Sequence, residues 1–73
     1  MYTFRFTYDD GNVILCSDVS SATYPNGGVI SMVKDDEILA HNFSTGKQYC
    51  LHGQGVNYAV SHNGLRSITI EKQ

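Results

Sequence analysis

Charge is scarce in this chain. Of its 73 residues, 16% are Asp, Glu, Lys or Arg, against roughly a quarter in ordinary soluble domains. Only five are Lys or Arg, and they are scattered as Arg5, Lys34, Lys47, Arg66 and Lys72. Nucleic-acid binding draws most of its affinity from clustered cations, so a nucleic-acid partner is not expected. An anionic membrane surface is excluded on the same ground. No apolar run approaches the roughly 20 residues of a membrane span, and the chain opens on an alternating pattern rather than a signal peptide, so a cytoplasmic setting is expected. Two cysteines, Cys16 and Cys50, are read in that setting as reduced thiols rather than a disulfide.

What is present is polar, aromatic and strand-like. A chain of this length is one small β domain, residues 1–73, with a marginal core, and self-association is a common remedy. Tyr2, Phe4, Phe6 and Tyr8 alternate with Thr3, Arg5 and Thr7, which specifies a strand with one buried face. Asn12 to Ser17 is apolar on both faces, as expected of a strand covered on both sides. Pro25-Asn26-Gly27-Gly28 marks a turn, and Val29 to Val33 a further short strand. No segment has a useful helical apolar period, so the fold expected is all-β, a small antiparallel barrel or rolled sheet of about six short strands built from hairpins.

Three connections carry Gly as their third residue: Asp9-Asp10-Gly11, Ser44-Thr45-Gly46 and His62-Asn63-Gly64. A three-residue loop with Gly in the left-handed position suits each, and it sets the register on either side. In the last hairpin this pairs Tyr58 with Ile68 and Val56 with Ile70. In a central hairpin over Ile38 to His52 it puts Leu39, His41 and Phe43 on one face with Tyr49 and Leu51, and Cys50 and His52 on the other.

That register bears on chemistry. A two-residue loop would bring His41, Cys50 and His52 together as a zinc site, but the better core separates them, leaving fewer than the three or four convergent ligands zinc needs. Asp9-Asp10 is read as a turn rather than a catalytic pair, Lys34-Asp35-Asp36-Glu37 as a solvated turn rather than a calcium loop, and Gly27-Gly28 lacks the Lys and following helix of a phosphate loop. No Cys/His or Ser nucleophile signature occurs. The expectation is therefore a non-enzymatic binding module without cofactor or metal. It would be homo-oligomeric and hold a small polar, nucleotide-like ligand at a subunit interface through Tyr24, His52, His62 and Arg66. Two alternatives stand beside it: a protein-interaction or inhibitor module of the kind phages and bacteria use as accessories, and a small zinc-binding protein.

Overall fold

The computed structural model describes residues 1–73. Six strands and one helical turn follow in the order β1 (Tyr2–Tyr8), β2 (Val13–Asn26), β3 (Val29–Lys34), α1 (Glu37–Ala40), β4 (Tyr49–Gly53), β5 (Val56–Val60) and β6 (Leu65–Lys72). They form one antiparallel sheet with the path β5-β4-β2-β1-β6, and β3 joins β2 off that path. The sheet curls without closing, so the fold is a rolled sheet. No helix is long and apolar enough to cross a membrane.

The long second strand holds the sheet together. Val19 pairs with Tyr2 on one edge and Gly53 on the other, and Ala22 pairs with Val33 and Leu51. β4 thus takes one edge of β2, while β1 and then β3 share the other in succession. Between the two halves, the register slips by one residue against both β1 and β4, and Asp18 adopts φ 61°. This is a bulge, which bends a strand and increases its twist. Two distant side chains secure it: Tyr58 Oη donates to Ser17 O (3.2 Å), Asp18 N–H donates to Gln73 Oε1 (2.7 Å), and the Gln73 amide returns a bond to Asp18 Oδ1 (2.9 Å).

The alternation in β1 does what the sequence specifies: Tyr2, Phe4, Phe6 and Tyr8 are all buried. Cys16, Val19, Ala22, Val33, Ile38, Tyr49, Leu51 and Val60 complete the core. The first Gly-third loop also forms as expected. Tyr8 N–H donates to Asn12 O (2.9 Å), Gly11 N–H to Tyr8 O (3.0 Å), and Gly11 sits at φ 88°.

Four expectations are corrected. First, residues 38–52 do not form a hairpin. Glu37–Ala40 is a helical turn closed by His41 N–H to Glu37 O (2.9 Å), and only Tyr49–Gly53 is a strand. The turn begins at Asp36, where acidic side chains favour the N-terminal end of a helix. It buries Ile38, and four residues are too few to show a helical period. Secondly, β5 and β6 do not pair with each other. The His62-Asn63-Gly64 turn carries the chain from one side of the sheet to the other, so that β5 pairs with β4 and β6 with β1. The hairpin actually made by β5 uses the Gln54-Gly55 turn, with Gly53 opposite Val56 and Gly55 at φ 75°. Thirdly, β2 is 14 residues long, not a short strand. Fourthly, its start is not covered on both sides: Val13, Ile14 and Leu15 are each about half exposed, because β1 alone flanks that stretch and no second layer packs over it.

Burial raises the pKa of three acidic groups in this core. The Cys16 thiol is pushed above its ordinary 9.0 by desolvation, and Tyr8 above 10.0 by desolvation and then by the neighbouring Cys16. Tyr49 is also raised by desolvation, against the opposing bond that its hydroxyl accepts from Ser44 N–H (2.9 Å). All three favour the neutral form in the folded chain, so their contribution is complete below the unfolded pKa values and is lost as pH rises through the folded ones. Urea midpoints should therefore hold level through neutrality and fall as pH climbs above about 9, the ordinary range of a thiol. A midpoint unchanged up to the tyrosine range would contradict this.

Candidate functional site

The four residues singled out in the sequence lie in separate local settings. Tyr24 projects from the inner face of β2, on the side of Ala22 and the buried Tyr49. His52 lies on the outer face of β4, with Nε2 3.1 Å from Thr23 Oγ1 and Nδ1 2.9 Å from Asn57 Oδ1. Each ring nitrogen therefore lies at hydrogen-bond distance from a neighbouring oxygen. Both ring nitrogens are thus occupied within the sheet. His62 follows β5 and contacts Gln48 Oε1 through Nδ1 (2.9 Å), while the Gln48 amide nitrogen bonds Val60 O. Arg66, the second residue of β6, reaches Asp9 across 3.9 Å, an exposed pair that contributes little.

His41 is separated from Cys50 and His52, but by a helical turn and a loop rather than by the register of a hairpin. His41 follows α1 and packs against Phe43 and Tyr24, whereas Cys50 is exposed on the outer face beside Thr23 and Ala59. No group of three or more His, Cys, Asp or Glu side chains comes together in an arrangement that could hold a metal ion.

The structure instead gathers aromatic rings around Tyr24. Its ring centroid lies 5.5 Å from that of His41 and 5.5 Å from that of Tyr49. Phe43 bridges His41 (4.7 Å) and Tyr49 (5.0 Å), and meets Phe4 of β1 edge-on at 5.3 Å. These are the separations at which aromatic pairs attract beyond their buried area. Lys47 Nζ lies 4.7 Å from the Tyr24 ring centroid, a cation-π contact. The loop after α1 is held in place by the bond from Ser44 N–H to the buried Tyr49 hydroxyl, which fixes the backbone carrying Phe43 and Lys47.

Beside this cluster is an open depression lined by Tyr24, Ser31, Met32, Val33, Glu37, Ala40 and His41. Its walls are the inner face of the β2–β3 hairpin on one side and α1 on the other. Tyr24 stands on the first side, and Glu37 and His41 stand at the two ends of α1 on the second, so the depression offers a flat ring aromatic surface and hydrogen-bonding tips. A second shallow groove on the outer face of β2, β1 and β6 is lined by Thr3, Arg5, Leu15, Thr69 and Glu71. It is somewhat more enclosed but has no aromatic wall, and its two charges oppose each other in sign. Of the sequence candidates only Tyr24 belongs to the first depression. The sequence marks His41 as a core-facing strand residue and Glu37 as part of a solvated turn; their place beside Tyr24 follows from the helical turn Glu37–Ala40. The one signal available was the position of Tyr24 beside the Pro-Asn-Gly-Gly turn.

No protein-family model, curated protein or solved structure matches this chain.

Proposed function

We propose that the protein is a non-enzymatic, homo-oligomeric binding module that holds a small planar polar ligand of nucleotide-like chemistry against Tyr24 and His41. The observation that carries this reading is the pair of half-buried rings, Tyr24 and His41, lining an open depression, with Lys47 over the Tyr24 ring and Glu37 among the lining side chains. Stacking supplies the apolar part of recognition. The imidazole, the phenol hydroxyl and the carboxylate meet donors and acceptors on the ligand edge, and Lys47 is within reach of an anionic substituent. His52, His62 and Arg66 take structural roles in this reading, since each already has a partner elsewhere in the fold.

A nitrogen-15 NMR titration with adenosine monophosphate and with adenosine tests this. Amide shifts should concentrate at Tyr24, Ser31 and His41, and Tyr24→Ala should weaken binding about 5- to 150-fold, as loss of about 1–3 kcal/mol of base stacking implies. Shifts centred on His52 or His62, or no response to either compound, would overturn the assignment. A second reading, a protein-interaction module that binds a larger partner through a strand edge, is favoured by the apolar surface on β3, where Val29, Ile30 and Met32 are 63%, 71% and 58% exposed.

A further inference from the structure

The free edge of β3 is built to pair with itself. Asn26 and Val29 flank the two-residue Gly27-Gly28 loop, both of whose glycines have positive φ. Such a loop makes its flanking residues a hydrogen-bonded pair, after which bonded and non-bonded pairs alternate. Val29, Ser31 and Val33 therefore direct their backbone groups to β2, and Ile30, Met32 and Lys34 direct theirs outward. Two observations agree with this parity. Asp35 N–H continues the inward set by bonding Ser20 O (2.9 Å), while Lys34 N–H, facing outward, is taken by Glu37 Oε1 (3.3 Å). Pro25, which lacks an N–H, occupies a non-bonded pair with Ile30, just past the last β2–β4 pair, Thr23 with Cys50.

Glu37 thus closes the edge at Lys34 and leaves two adjacent outward-facing residues, Ile30 and Met32, with both N–H and C=O unpaired on that side. From Val29 to Val33 the edge has no charge, proline or bulge, the devices that ordinarily blunt an exposed strand. Among the other open edges, the first half of β2 is flanked by β1 alone and is likewise apolar and uncharged over Val13 to Leu15, but Tyr58 Oη already takes Ser17 O there; the remaining two differ. β6 carries Arg66, Glu71 and Lys72, and β5 opens at Asn57 and Ala59, which have little apolar surface to bury.

We infer that a second copy of this chain docks on β3, antiparallel about a two-fold axis through Ser31. In that register Ile30 of each copy faces Met32 of the other, and the two pairs exchange four backbone hydrogen bonds, using every open donor and acceptor of both residues. Ile30 and Met32 from both chains meet on the outer face, and Val29 meets Val33 on the inner face. A shift of register by two residues in either direction breaks this match: one sets the Lys34 N–H, already bonded to Glu37, into the ladder, and the other places Gly28 there. An isologous contact of this kind closes after two copies and leaves no further edge on β3.

The dimer also bears on the proposed ligand site, and this consequence alone rests on that reading. Val33 lines the depression, so Val29 of the second copy extends its wall and narrows its open side.

Two variants test the pairing. Ile30→Lys alters a side chain that is mostly solvent-exposed and should leave the fold intact. Ser31→Cys places two thiols across the axis in a non-hydrogen-bonded pair, where Cα atoms lie about 4.5 Å apart, within disulfide reach. In a Cys50→Ser background, Ser31→Cys should cross-link to a covalent dimer on mild air oxidation, while Val29→Cys in the same background should not. By light scattering, the unmodified protein should have twice the chain mass, and Ile30→Lys should halve it. A monomer across the whole accessible concentration range, or a dimer untouched by Ile30→Lys, overturns the inference. So does cross-linking through Val29→Cys but not Ser31→Cys, and a monomer whose β3 edge is protected only by a different protein assigns the edge to that partner. Ligand shifts at Tyr24 in a monomeric Ile30→Lys variant would show the binding site standing without the dimer, so the two failures are distinguishable.

Discussion

Gly53→Ala should unfold the protein or bring it close to unfolding. A Cβ at residue 53 would lie 1.9 Å from Asp18 O and 2.9 Å from Asp18 C, both backbone atoms of the β2 bulge. No rotamer change relieves a clash with backbone, and Gly53 is not in a left-handed conformation, so the cost is purely one of space. Overpacking of this kind costs about 1–3 kcal/mol where side chains can yield, and more where only backbone can move. Here the bulge is tied on three sides, by Tyr58, Gln73 and the β4 ladder. A loss of roughly 4 kcal/mol is a large part of the stability of a small domain. Circular dichroism with urea denaturation checks it. Gly55→Ala provides the contrast: its Cβ would meet nothing within 4 Å, and only the backbone preference at φ 75° opposes it, worth about 1 kcal/mol.

The second large effect separates the helical turn from the hairpin that the sequence suggests. Ile38 is fully buried and Leu39 is 54% exposed. Ile38→Ala should cost about 2–5 kcal/mol through lost burial and the cavity left behind, whereas Leu39→Ala should change stability by less than about 0.5 kcal/mol. In a hairpin with Leu39, His41 and Phe43 facing the core, the order would be reversed. Equal losses at both positions would contradict the helical turn. Because Ile38 anchors α1 against the core, its truncation should also loosen the loop that carries His41, Phe43 and Lys47, and with it the Tyr24 depression.

These residues also show where sequence reasoning holds. The face of β1 was legible because seven alternating residues leave only one way to bury four aromatic rings. The Gly11 loop was legible because its turn chemistry and the strands on both sides agree. The partner of β5 was not. Gly in third place specifies a turn geometry, and Gly64 does adopt φ 71° with Leu65 N–H bonded to His62 O (3.2 Å), yet a local turn does not decide whether the strands beyond it continue as neighbours. Here Asp9 N–H bonds Gly64 O (2.8 Å) and Tyr8 Oη donates to Ser61 O (2.7 Å), so contacts to the β1–β2 corner redirect the chain.

The candidate site was only partly legible for the same reason. Tyr24 was identified from its place beside a turn, but His41 joins it through a single helical turn whose stability comes from burying Ile38 rather than from local propensity. His52, chosen for its exposed chemistry, is occupied by Thr23 and Asn57, partners 29 residues before it and five after it. Asp18 to Tyr24 continues β2 through its bulge. An extra residue at a bulge breaks the period-two signal by which strands are recognised.

Native mass spectrometry of the protein purified from cells that normally make it tests the binding-module reading most directly, since it reports subunit number and retained ligand together. The expected result is an assembly of two copies of the 8.1 kDa chain carrying a small molecule that is lost on collisional activation. A bare single chain, with no ligand at any concentration, would contradict it.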